Sequence, residues 1–333
     1  MYEEIIRQIK GRAKKDPKKI VFPEADDERV LRAVARIRGE GIAEPVLISS
    51  KDIDPSQRDT FAYLLFESRK ANGMTYEKAK ELMNDVQFYA AMMLHCGLVD
   101  GMVTGASCST ASVMRAVIHC LELNDMIRLV SSCFIIGIPQ CAYGEGGVLL
   151  YADCGVVPDP TSEQLARIAV ASAQFFEDTL ERPARVAMLS FSSKGSAKGE
   201  IINKVKDAVT IAKSIKKDLI IDGELQVDSA LSPEIASRKL KDSDVAGKAN
   251  ILIFPSLDAG NIGYKLTERL ARARAIGPLI LGTVEPCSDL SRGCNVEDIV
   301  DCAAVVAVRA QKKYSNPKNT VINFEKYYAN TCI

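Results

Sequence analysis

Histidine is almost absent from this chain: His95 and His119 are the only two in 333 residues. That scarcity argues against a His-rich metal centre and against a conventional Ser/His triad. Ten cysteines are present, yet none stands in a CxxC pair or at a metal-ligand spacing. Cys96, Cys120, Cys133 and Cys302 lie inside apolar segments, as reduced core residues of a cytoplasmic protein do. No apolar run reaches the roughly 18 residues that a membrane span needs. The opening Met1-Tyr2-Glu3-Glu4-Ile5 carries charge where a secretory signal needs an apolar core. Excess charge is missing too. Lys+Arg and Asp+Glu number 43 each, so nothing suggests a nucleic-acid or membrane surface. There is no GxGxxG after a first strand, which weakens a dinucleotide reading, and no GxSxG elbow.

What is there is the composition of a soluble globular protein, 47% hydrophobic and 26% charged, at a length that allows two domains. An amphipathic helix at 2–14 carries Ile5, Ile6 and Ile9 on one side. Apolar strands are expected at 19–23, 44–49, 98–103, 133–138, 148–151, 185–190, 218–221, 250–254 and 278–282. Between them fall helical patterns at 26–40, 57–71, 75–96, up to about 123, 161–180, 200–214, 232–240, 260–275 and 295–312. Repeated β-then-α order predicts an α/β protein with two doubly wound domains on parallel or mixed sheets. Residues 1–130 with 293–333 are expected to form a discontinuous first domain, and 131–292 the second. No internal repeat or low-complexity block interrupts the pattern, and the tail after Tyr314 is expected to be poorly ordered.

One stretch organises the rest: Asp289-Leu290-Ser291-Arg292-Gly293-Cys294-Asn295-Val296-Glu297-Asp298, between the strand at 278–282 and the last helix. It sets a hydroxyl, a guanidinium and a carboxylate in one strand-to-helix turn, where open α/β sheets bind ligands. Asn295 and Asp298 also read as an N-cap with an acidic third position, and Gly293 as a permissive turn residue. Taken alone, the turn favours capping over chemistry, because caps outnumber active sites.

Four further stretches carry candidate chemistry. Ser193-Lys194-Gly195-Ser196-Ala197 follows a strand and opens a helix, which suits phosphate binding through backbone N–H groups or a plain surface turn. Arg69 and Arg115 lie in helical stretches; each suits an ion pair, and Arg115 also suits a phosphate clamp. Asp222-Gly223-Glu224 with Asp228 suits a divalent metal, though capping and hydrogen bonding are the commoner uses of such acids. Phe254-Pro255 with Gly260-Asn261-Ile262 permits close approach of a ligand to the backbone.

In this order and spacing, the Ser193–Ala197, Asp222–Gln226, Phe254–Ile262 and Asp289–Gly293 motifs resemble the phosphate acetyltransferase (phosphotransacetylase) family, over nearly the whole chain to about residue 312. The resemblance implies two α/β domains with an active cleft between them, similar to isocitrate and isopropylmalate dehydrogenases, usually as a homodimer. It implies the reversible exchange of acetyl-CoA and phosphate for acetyl phosphate and CoA, in acetate metabolism, with CoA as substrate and no bound cofactor or metal. By position it implies Ser291, Arg292 and Asp298 as catalytic, and Arg69 and Arg115 as phosphate-binding. Cys141, Ser193, Lys194, Gly195, Ser196 and Asn261 are implied to line the cleft or contact CoA. Cys141 has no base beside it among its sequence neighbours Gln140 and Ala142, so it reads as lining rather than nucleophile. The chain departs from the family pattern at Cys108, where a histidine is common, and at Ala116, where proline is.

The expected chemistry is a direct one. Asp298 takes the CoA thiol proton, the thiolate attacks the acetyl carbonyl with no covalent enzyme intermediate, Ser291 holds the oxyanion, and the arginines hold the phosphate. A propionyl- or butyryl-transferring relative, a non-catalytic acyl-CoA-binding module and a metal-dependent oxidoreductase using the 222–228 acids are the competing readings.

Overall fold

The computed structural model describes residues 2–313; the tail beyond them, with the expectation placed on it, lies outside the described residues. The chain divides into two compact units. Among the described residues, a terminal unit takes Lys10–Glu122 and 284–313, and a middle unit takes Leu123–Thr283 with 2–9. The expected bounds differ from these at 1–9, at 123–130 and at 284–292, the last of which joins the terminal unit.

In the terminal unit the strands are β1 (Lys19–Phe22), β2 (Glu44–Leu47), β3 (Gly101–Thr104) and a later one, β10 (Cys287–Asp289), in the order β2-β1-β3-β10 and all parallel. Ile20, Val21, Phe22, Met102 and Val103 are buried, the unalternating apolar pattern of parallel strands covered on both faces. The last helix, Val296–Lys313, packs on β3, and from Ile299 to Val308 every residue is buried. A helix apolar almost all round can only be an internal one.

The middle unit holds β4 (Ser131–Gly137), β5 (Val148–Ala152), β6 (Val186–Leu189), β7 (Ile221–Leu225), β8 (Ile251–Ile253) and β9 (Arg274–Leu281), in the order β9-β4-β5-β8-β6-β7. β4 runs antiparallel to β5 and β9, and the other pairings are parallel. The sheet is therefore mixed. Helices Ser162–Leu180, Glu200–Ile215 and Leu257–Leu270 each follow a parallel strand, as a doubly wound sheet requires.

Local differences from the sequence reading have physical causes. The expected helix 75–96 breaks at Met83–Asp85, because Asp85 caps a fresh helix by accepting the Gln87 N–H at 2.8 Å. The strand expected at 218–221 lies instead at Ile221–Leu225, so the Asp222 and Glu224 acids sit within it rather than after it. Arg274–Ile276, expected as the end of a helix or the turn after it, pair with β4, and that pairing overrides their weak local preference. β10 escaped notice because three residues, two of them polar, give no periodic signal.

Candidate functional site

The turn after β10 begins with a backbone tie. Leu290 N–H donates to the Thr104 carbonyl at 2.6 Å, which holds the carboxyl ends of β3 and β10 side by side. Ser291, Arg292 and Gly293 are exposed, Cys294 is buried, and the last helix then starts. Asn295 and Asp298 cap each other: Asn295 N–H donates to the Asp298 carboxylate at 2.9 Å, and Asp298 N–H donates to the Asn295 side-chain oxygen at 3.1 Å. Gly293 N–H donates to Ser291 Oγ at 3.2 Å. Gly293 itself has ordinary φ, and an added Cβ would meet only Ser291 Oγ at 3.7 Å. Neither conformation nor space requires glycine there.

Two charged side chains that the sequence reading passed over hold this turn and its neighbour, the loop Gly105–Ser109. Arg29, in helix Glu28–Glu40, donates from Nη1 to the Arg292 and Cys294 carbonyls at 2.8 and 2.9 Å, and from Nη2 to the Ala106 carbonyl at 2.7 Å. Asp27 caps that helix and pairs with the guanidinium at 2.7 Å; this partner holds the Asp27 carboxyl below its ordinary range. Glu24, just past β1, accepts from the N–H groups of Ala106, Ser107 and Cys108 at 2.9, 2.7 and 3.1 Å and from Ser107 Oγ at 2.8 Å. A planar guanidinium suits the bridge because one rigid fork reaches several carbonyls. The signal for Glu24 was its place: a carboxylate at the carboxyl end of the first strand.

The thiols nearby are poor nucleophiles. Burial, with Glu24 beside it, pushes Cys108 up to about 12, and burial outweighs Arg29 to push Cys294 up to about 11. Beneath the turn lies Asp289, fully buried, with neither carboxyl oxygen in hydrogen-bonding geometry with a partner.

Arg69 and Arg115 gather elsewhere in the same unit. Arg69 donates to the carbonyls of His119 and Ile118 at 2.9 and 2.8 Å, closing the end of helix Thr110–Cys120. Arg115 is exposed, its guanidinium 5.9 Å from the Phe88 ring centroid. Both reach His119: burial chiefly, and then these two cations, hold its imidazole below the ordinary pKa. The structure thus brings Ser291, Arg292 and Asp298 together in one turn and Arg69 and Arg115 together around His119.

The remaining expected residues belong to the middle unit. Cys141 is half-buried between β4 and β5. In the loop after β6, Ser193 N–H donates to Ser196 Oγ at 3.0 Å, Lys194 N–H to the Glu224 carbonyl at 3.2 Å, and Gly195 N–H to the Glu224 carboxylate at 2.7 Å. The Lys194 ammonium pairs with Asp222, which also accepts from Ser243 Oγ at 2.5 Å. These backbone donors, expected to face a phosphate, are engaged in this conformation by Ser196 and by the Glu224 carbonyl and carboxylate. Asn261 donates to the Cys154 carbonyl at 3.0 Å, tying helix Leu257–Leu270 to the loop after β5.

A strand-to-helix turn with exposed hydroxyl and guanidinium, stiffened by a cap and by Arg29, can bind an anion and stabilise negative charge beside a carboxylate. Comparison with known proteins gives that geometry a family. The family model described as phosphate acetyl/butaryl transferase matches residues 4–307. The chain is 47% identical over 325 residues to the phosphate acetyltransferase of Acetivibrio thermocellus, covering 92% of this chain and 98% of that one. It is 43% identical over 330 residues to that of Clostridium acetobutylicum, covering 93% and 99%. Among solved structures, a phosphotransacetylase from Streptococcus pyogenes superposes with a TM-score of 0.85 at 36% identity, over 94% of this chain and 99% of that one. Family model, relatives and superposed structure agree, and the chain belongs to the phosphate acetyl/butyryl transferase family.

Proposed function

We propose that this protein catalyses the reversible transfer of an acetyl group between CoA and inorganic phosphate, by direct thiolate attack within a ternary complex. The carrying observation is the turn itself: Ser291 and Arg292 exposed, and Asp298 a few residues on, in one capped segment of a chain that belongs to this family. An ordinary thiol near pKa 8.5 is only a few per cent ionised at neutral pH, so a base is needed. Asp298 takes the CoA thiol proton. The thiolate forms the C–S bond at the acetyl carbon, the Ser291 hydroxyl donates to the developing oxyanion, and the C–O bond to phosphate breaks. Arg292 receives the departing phosphate, with Arg115 and Arg69 assigned to the same anion. Ser193, Lys194, Gly195, Ser196 and Asn261 are assigned to CoA contact and Cys141 to lining.

The relatives above are named for the acetyl reaction, which favours acetyl over longer chains. A methylene more or less changes selectivity by only about 1–3 kcal/mol. Homodimeric assembly and a cytoplasmic setting belong to the same proposal; among the described residues no helix is long and apolar enough to cross a membrane. The test is thioester formation from CoA and a panel of acetyl, propionyl and butyryl phosphates, with chelator and without nucleotide. Fast, phosphate-releasing turnover with acetyl phosphate is expected. Tight CoA binding without turnover on any acyl phosphate would replace the enzyme with an acyl-CoA-binding module.

A further inference from the structure

We infer that Asp289 is a positioning residue for the Ser291–Arg292 turn, and that the charge on its carboxyl sets how the Gly105–Ser109 loop packs against that turn. The inference rests on the acyl-transfer reading of the turn. Asp289 is the last residue of β10, and its neighbour Leu290 donates to the Thr104 carbonyl at 2.6 Å. The carboxyl therefore lies against Gly105: a Cβ built there would sit 2.3 Å from Asp289 Oδ1. Gly105 at φ +97° is the residue that allows a carboxyl in that place.

The side chain is fully buried and both oxygens lack a hydrogen-bond partner. Thr110, first residue of the helix that carries Arg115, is near enough to favour the ionised form but not in hydrogen-bonding geometry. Across the loop, Glu24 gathers the N–H groups of Ala106, Ser107 and Cys108, so the donors that would satisfy Asp289 already face the other carboxylate. Among the described residues, further charged or titratable groups about the loop are the Cys108 thiol, which feels Asp289, the Cys294 thiol, which feels Glu24 and Arg29, and Arg29 itself, which is engaged by Asp27 and by three carbonyls.

A buried, unpartnered carboxyl facing a like charge holds its proton. Burial first, with Glu24 adding to it, pushes Asp289 up to about 7. The acid's pKa is raised on folding, so the packed arrangement is favoured fully below its ordinary 3.8 and loses that advantage as pH rises through about 7. Near neutrality a neutral Asp289 lies quietly against Gly105, whereas an ionised one repels Glu24 and attracts the start of helix Thr110–Cys120. Either movement reaches Ser291 and Arg292 through the Leu290–Thr104 tie and the Arg29 bridge.

The experiment compares the intact wild-type enzyme with Asp289→Asn, which keeps the shape and fixes the neutral state. The pH profile of kcat/KM with CoA and acetyl phosphate is measured from pH 5.5 to 8.5. The wild type is expected to show a component with a midpoint near 7 that the variant lacks, with rates within about threefold at pH 6. Infrared difference spectra of wild type against variant are expected to show a protonated-carboxyl band fading over the same range. Superimposable pH profiles, or no such band at pH 6, would overturn the inference. Should the variant fold poorly, the titration of carboxyl bands in wild type alone decides it: none fading near 7 overturns it. Absence of wild-type turnover would overturn the acyl-transfer reading itself, while the band, which needs no turnover, still decides the charge on Asp289.

Discussion

Asn295 and Asp298 hold each other through reciprocal backbone bonds of 2.9 and 3.1 Å, so the carboxylate assigned as general base is also the cap of the last helix. The two roles are separable. An amide at position 298 can still accept the Asn295 N–H, but it cannot take a thiol proton. Asp298→Asn is expected to keep thermal stability within a few degrees and to lower kcat by roughly 10²–10⁴-fold, the usual worth of general base catalysis. Thioester formation by the purified variant, beside its melting curve, checks both halves. An unchanged kcat would leave Asp298 as a cap alone.

Ser291 is exposed and its Oγ accepts only a weak 3.2 Å bond from Gly293 N–H, which leaves the hydroxyl proton available to a substrate. A donor that engages mainly the transition state raises kcat without tightening the ground state. Ser291→Ala is expected to cut kcat by about 10²–10³-fold, as loss of an oxyanion donor does. The KM for CoA and for acetyl phosphate should move by less than about threefold. Steady-state kinetics with each substrate varied in turn give the split; a rise in KM at constant kcat would make Ser291 a binding residue.

Gly105 is confined twice, by φ +97° and by Asp289 and Leu290, whose atoms would lie 2.3–2.6 Å from an added Cβ. Gly105→Ala is expected to destabilise by roughly 1–3 kcal/mol from backbone strain alone, with the collision adding to it. Urea unfolding measures this. A midpoint equal to wild type would mean that β3 and β10 separate freely at their ends.

Glu297 supplies a test in pH. Burial raises its carboxyl, but hydrogen bonds from Lys10, at 2.8 Å, and from Arg36 outweigh it and hold the group at about 2. A depressed acid contributes stability that is present above its ordinary 4.5 and is lost as pH falls through about 2. Glu297→Gln should therefore cost about 1–2 kcal/mol at pH 7, discounted for partly exposed partners, and progressively less between pH 4.5 and 2. Urea midpoints of both proteins across that range give the curve; a constant difference would show that the ion pairs do not contribute.

What the sequence made legible was whatever repeats with a period or occurs in a specific order. Ile5, Ile6 and Ile9 are buried as one stripe, and the apolar runs at 19–23 and 185–190 became parallel strands buried at every strand position but Lys19, because burial on both faces demands unbroken apolar stretches. The Ser193–Ala197, Asp222–Gln226, Phe254–Ile262 and Asp289–Gly293 motifs indicated the family together, by their order and spacing. Glu24 and Arg29 were not legible, since their loop partners are chiefly backbone atoms 77 or more residues away, and a carbonyl has no side-chain identity to read. Asp289 was quoted as part of a motif, yet only burial shows what its carboxyl faces. The 191–199 loop was read through its glycines and lysines. The Asp222 and Glu224 side chains that engage it came from a strand whose register the local pattern placed too early.

The division of the chain also fixes a schedule of manufacture. A nascent chain that has left the ribosome as far as residue 283 contains all six strands of the middle unit, while the terminal unit still lacks β10 and the helix on which its sheet rests. Domains fold as units while synthesis proceeds. The middle unit can therefore be complete early, and β3 waits with a bare edge through about 180 further residues of translation for its partner at Cys287–Asp289. Ser291, Arg292 and Asp298 are delivered only after β10, so no truncated product ending before them carries the proposed chemistry, however well its larger part has folded.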